Sequence, residues 1–178
     1  MNTIKYIKTI LLSKLLGGGN KYVVDCMRKE GMKIGKDTHI FSNISSSEPY
    51  LVTIGDNCTI STDVSFITHD ASIGLFLGRS QSSDICGRIC IGNNVFIGNK
   101  SILLYGINIP DNTIIAAGSV VTKSITENGC ILAGNPARKI GTISDFLDKN
   151  RDCFLNLHGL NEEMRKSTIL SSQKLVQR

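Results

Sequence analysis

The sequence predicts an all-β chain wound into a three-sided parallel β-helix, and two observations carry that prediction. Ile91, Ile97, Leu103, Ile109, Ile115 and Val121 fall six residues apart, and all are large aliphatics. The slots around them are mostly small or turn-compatible: Gly92, Gly98, Leu104, Pro110, Ala116 and Thr122 one step on, then Val95, Ser101, Ile107, Thr113 and Ser119 four steps on. This spacing is neither the period of a helix nor the simple alternation of a strand. A fixed period marks a repeat, whose units bury their apolar side only by stacking on one another. Each hexad supplies one short strand and a turn with its aliphatic inward. Three hexads close a triangular coil, and stacked coils bury a continuous aliphatic column.

In chain order, residues 1 to about 16 read as an amphipathic helix, with Ile4, Ile7, Ile10, Leu11 and Leu15 at helical spacing and Lys5, Lys8 and Lys14 among them. Gly17-Gly18-Gly19 ends it, since glycine readily takes the left-handed cap conformation. The uncharged run Thr9–Ser13 is far too short to span a bilayer. One reading packs this helix on the β-helix or on a neighbouring subunit; the other gives it peripheral membrane contact. Residues 21–33 read as a linker, completing an N-terminal unit over 1–33. The hexads start at Ile34 and Ile40, pause at Ser45–Pro49, and resume at Ile54, Ile60 and Phe66. They then break for an excursion over about 71–88, rich in glycine and serine, of a length that is usually functional inside a compact repeat. Unbroken coils follow from Ile89 to Val121, and Asn135-Pro136 closes the last of them, so the β-helix domain spans 34–141. The remainder, 142–178, reads as a helical tail with a second helix starting at Asn161.

The length, 178 residues, suits one domain with its own core. A net charge of +5 is too modest to argue for nucleic acid, yet it favours anionic ligands. Six scattered cysteines without Cys-x-x-Cys spacing read as reduced thiols of a cytoplasmic protein. Of three histidines, His39 sits mid-hexad and His158 lies in the tail, whereas His69 stands at the edge of a coil just before the excursion.

The hexads, Thr68-His69-Asp70 and the closing Ala133-Gly134-Asn135-Pro136-Ala137 resemble the hexapeptide-repeat acyltransferases. The likeness is greatest to the branch of galactoside, maltose and polysaccharide O-acetyltransferases, and it covers Met32 to Gly141. It implies a left-handed coil, acetyl-CoA as donor with no metal, and a homotrimer with sites between subunits. It also implies His69 as the base that takes the acceptor proton, a task suited to a side chain titrating near neutral pH. Residues implied at the acetyl-CoA site are Asn99, Ala117, Thr122, Lys123 and Arg138. Asn43 and Asp70 are implied or adjacent candidates for acceptor contact. Asp70 could instead orient the imidazole, but neighbours on a strand point to opposite faces. No cysteine or serine stands beside His69 as a nucleophile, so direct transfer is expected.

Two departures stand out. The galactoside and maltose enzymes carry Gly-His-Pro where this chain has Thr68-His69-Asp70, and a basic residue expected after Arg138 is replaced by Gly141, with Lys139 nearby. The implied activity is acetylation of a sugar hydroxyl in cell-surface polysaccharide synthesis. N-acetylation of an amino sugar or antibiotic stays open, as does a non-enzymatic scaffold. The related γ-type carbonic anhydrases need a zinc-binding histidine trio that this sequence does not offer. The large helical N-terminal domain of serine acetyltransferases is likewise not expected.

Overall fold

The computed structural model describes residues 4, 7–9, 11, 20–44, 46–77 and 83–176. Its short strands pair with strands one coil away and gather into three parallel sheets, the sides of a prism. Side A holds β1 (Lys33–Ile34), β3 (Val52–Ile54), β8 (Ile89–Ile91) and β11 (Ile107–Ile109). Side B holds β2 (His39–Ile40), β4 (Thr59–Ile60), β9 (Phe96–Ile97), β12 (Ile114–Ile115) and β14 (Cys130–Gly134). Side C holds β5 (Ser65–Phe66), β10 (Ile102–Leu103) and β13 (Val120–Val121). The hexad aliphatics from Ile91 to Val121 fill the interior, each at most 3% exposed.

The corners explain the rest of the repeat. Between sides A and B the turn residue is Asp37, Asn57, Asn94 or Asn112, each with φ between 51° and 55°. Asparagine and aspartate tolerate this left-handed region better than other residues with a Cβ. Stacked coils also let these side chains form a ladder: Asn57 Nδ2 donates to Asn94 Oδ1 at 2.8 Å, and Asn94 Nδ2 to Asn112 Oδ1 at 3.1 Å. Coils press so closely that a Cβ on Gly98 would come 2.5 Å from the Ala117 nitrogen.

Both ends of side B are closed. Residues 21–33 are more than a linker, because α1 (Lys21–Lys29) buries Val23, Val24 and Met27 against the first coil. Just before it, the Asn20 side chain stands in for a missing strand. Its Oδ1 accepts from Ile40 N and its Nδ2 donates to Ile40 O, both at 2.6 Å, so the β2 edge is not left open. At the far end β15 (Ala137–Thr142) folds back antiparallel over β14. Of the expected N-terminal helix, Ile4, Ile7–Thr9 and Leu11 are helical; its remaining residues lie outside the described ones.

The excursion departs two residues earlier than the sequence suggested, at His69. β6 (His69–Asp70) and β7 (Ile85–Cys86) form an antiparallel ribbon, separate from the prism, and a short helix α2 (Gly74–Leu77) follows its outgoing strand. In the tail, Thr142 caps α3 (Ile143–Asn150) and Asn161 caps α4 (Glu162–Ser171), the latter where the sequence placed its start. Among the described residues no helix is long and apolar enough to cross a membrane.

Candidate active site

The two interruptions of the repeat meet at the corner between sides C and A. The first carries a 3-10 turn, Pro49–Leu51, with Glu48 at its head. The second carries Thr68 and His69 one coil later. Glu48 Oε2 lies 2.9 Å from His69 Nδ1 and accepts a 2.6 Å hydrogen bond from the Thr68 hydroxyl. Ser46 Oγ is 2.7 Å from Thr68 Oγ1 and accepts from Glu48 N at 3.2 Å. The Thr68 hydroxyl, opposed by burial and aided by His69, holds the Glu48 carboxyl below its ordinary value. An ionised carboxylate only accepts, so Nδ1 carries a proton toward it, and in the neutral ring Nε2 keeps the free lone pair. The His69 side chain is 32% exposed, enough for that nitrogen to reach a ligand.

Sequence reasoning missed Glu48. The only available signal was Ser46-Ser47-Glu48-Pro49 interrupting the hexads, and nothing in it tells which coil residue lies above.

Asp70, the carboxylate nearest in sequence, turns away from this role. Its Oδ1 accepts from Ser72 N at 2.8 Å and its Oδ2 is 3.4 Å from the Tyr105 hydroxyl. The Ser72 backbone bond leads the interactions that lower its carboxyl. Asn43 is half-buried, and its Oδ1 is buried with no hydrogen-bond partner among the described residues.

A thiol does stand beside His69, although not in sequence. Cys86 is its direct partner in the β6–β7 ribbon. Gly87 N donates to Thr68 O at 3.0 Å, which makes Thr68 and Gly87 the bonded pair. His69 and Cys86 then form the non-bonded pair, where opposite side chains come closest. Cys86 is exposed.

The five residues expected at the donor site divide between two edges of side C. Asn99 and Ala117 occupy successive coils at the B–C corner, linked by Gly118 N donating to Asn99 O at 2.8 Å. Arg138 joins that edge, because it pairs with Ala133, which lies in β14 just past the residues stacked on β12. Thr122 and Lys123 follow β13 at the opposite edge, in the corner column of His69. Asn99, Ala117, Lys123 and Arg138 are exposed. Lys139, the substitute for the missing second base, is ion-paired with Glu127. One chain therefore carries the two halves on separate corners.

A family model, the hexapeptide repeat of succinyl-transferase, matches residues 88–123. Protein CapG of Staphylococcus aureus is 44% identical over 128 residues, which cover 70% of this chain and 74% of CapG. Galactoside O-acetyltransferase of Escherichia coli strain K12 is 38% identical over 112 residues, or 63% of this chain and only 54% of that enzyme. A solved galactoside acetyltransferase in complex with coenzyme A aligns over 91% of this chain and 92% of its own at a TM-score of 0.57 and 25% identity. Repeat, prism and relatives agree: the chain belongs to the hexapeptide-repeat acyltransferase family.

Proposed function

We propose that the protein is an acetyl-CoA-dependent O-acetyltransferase that acts on a sugar hydroxyl, in the service of cell-surface polysaccharide synthesis in the cytoplasm. The observation that carries this reading is His69, with Nδ1 engaged by Glu48 and Nε2 left free at the mouth of the excursion. His69 Nε2 takes the proton of the acceptor hydroxyl as its oxygen bonds to the thioester carbonyl carbon. The carbon–sulfur bond then breaks, and the proton passes from His69 to the departing CoA thiolate. Glu48 steadies the imidazolium formed between the two steps. Asn43 and Asp70 are the groups we assign to the acceptor. Asn99, Ala117 and Thr122 line the pantetheine arm, while Lys123 and Arg138 meet the phosphates.

The same reading takes the coil as left-handed and the catalytic unit as a homotrimer, with residues 34–141 as the acyltransferase domain between flanking units 1–33 and 142–178. Support for a trimer comes from side C, whose outward Ile102 and Val120 are apolar and whose two edges each carry half of the site. Closed threefold packing of such a side brings the His69 edge of one copy to the Asn99 edge of the next. Residues 1–16 are then available to the trimer or to a lipid surface.

Thiol release from acetyl-CoA, measured against a panel of sugars and amino sugars, tests the proposal. A sugar hydroxyl should stimulate release, and His69→Ala should lower it by roughly 10²- to 10⁴-fold while CoA still binds. Preference for an amine would replace the acceptor class with an amino sugar or antibiotic. Absence of both CoA binding and turnover would leave only a scaffold.

A further inference from the structure

We propose that Thr68 is a positioning residue for His69, acting through Glu48, and that Ser46 completes the device; the inference rests on the reading of His69 as the base. Thr68 is 2% exposed, and its hydroxyl has two side-chain partners. The carboxylate of Glu48 can only accept, so the one Thr68 hydroxyl proton goes to Glu48 Oε2. The Ser46 hydroxyl must therefore donate to Thr68, which leaves the Ser46 oxygen to accept from Glu48 N. The result is a closed ring in which every direction is fixed: Glu48 N–H to Ser46, Ser46 O–H to Thr68, Thr68 O–H to Glu48 Oε2.

The ring begins and ends on Glu48. It clamps a side chain with three rotatable bonds so that the same oxygen faces His69 Nδ1 at 2.9 Å. Such preorganisation saves the ordering of a long side chain at each turnover. Thr68 is suited to this because its backbone is held as well, its carbonyl accepting from Gly87 N at the root of the β6–β7 ribbon. It thus fixes Glu48 and the strand that bears His69 together. Its hydroxyl is also the leading influence that lowers the Glu48 carboxyl, favouring the accepting, ionised form.

The test compares wild type, Thr68→Val, Thr68→Ser and Ser46→Ala by steady-state kinetics and by nitrogen-15 NMR of the His69 ring, with thermal melting as a control on folding. Thr68→Val should lower kcat by about 10- to 100-fold with little change in KM for acetyl-CoA, and its ring should lose the exclusive Nδ1–H tautomer. Thr68→Ser keeps the donor and should restore both readouts to within about threefold of wild type. Ser46→Ala should fall between. A folded Thr68→Val protein with wild-type kcat and an unchanged tautomer overturns the proposal. If wild type itself transfers no acetyl group, the functional reading fails, while the tautomer in the four proteins still decides whether Thr68 positions the imidazole.

Discussion

The regular coils from Ile89 to Val121 and the interrupted stretch from Asn43 to Arg88 use the same hydroxyl residues for different ends. In the coils, Ser101, Thr113 and Ser119 sit at inward slots and are fully buried. Each donates to a carbonyl three residues back, at 2.8, 2.9 and 2.6 Å respectively. They finish the backbone hydrogen bonding of the corners, Ser101 Oγ also reaching Ala116 O of the next coil at 3.1 Å, and they orient no other side chain. In the interrupted stretch, Ser46 and Thr68 bond to each other and to a carboxylate. Where the repeat is intact, a polar side chain completes the backbone. Where it is broken, the corner opens and the polar group is free to hold another side chain. The proposed chemistry collects at the breaks for that reason.

The contrast can be broken from either side. The largest effect is expected in the coils: Leu103 is fully buried, so Leu103→Ala should destabilise the protein by roughly 2–5 kcal/mol. Ile85, in the ribbon and 45% exposed, should tolerate alanine within about 0.5 kcal/mol. Urea denaturation midpoints of the two variants check the pair. Next comes Glu48→Gln, which keeps the shape but removes the charge that steadies the imidazolium. It should lower kcat by about 10- to 100-fold in thiol-release assays, with the fold unchanged. Alkylation of Cys86 follows, since a group added there stands opposite His69. Iodoacetamide should inhibit the wild type and leave Cys86→Ser active, with mass spectrometry locating the adduct.

The smallest effect is on the acid side of the stability curve. The Glu48 carboxyl lies below its ordinary value of 4.5. Its contribution is therefore present above that value and lost as the pH falls through the lower folded one. The stability gap between wild type and Glu48→Gln should shrink from about pH 7 to about pH 3 in denaturant titrations. A gap that stayed constant would show that Glu48 ionisation is not coupled to folding.

How much could be read in advance follows from where information repeats. The aliphatics at every sixth position, the small residues at inward slots such as Cys58 and Val64, and the Asn161 start of α4 were all legible, because each depends on residues a few positions apart. So was the singular position of His69. The helical character of Lys21–Lys29 was not, since its apolar face, Val23, Val24 and Met27, is short and is stabilised by the first coil. Glu48 was not legible either. In sequence the carboxylate beside His69 is Asp70, and only the stacking of coils exchanges one for the other.

The sequence by itself determined the repeat, the prism, and the histidine at its broken corner, because hexad burial is a local rule applied again and again. Tertiary structure alone decided that Glu48 and not Asp70 holds His69, that Cys86 faces it, and that the residues proposed for the donor divide between two edges of one side. Those pairings join residues about one coil apart, and the irregular lengths of the two breaks decide which residues come to lie in register. No period in the sequence records that alignment; the packing of the whole coil does.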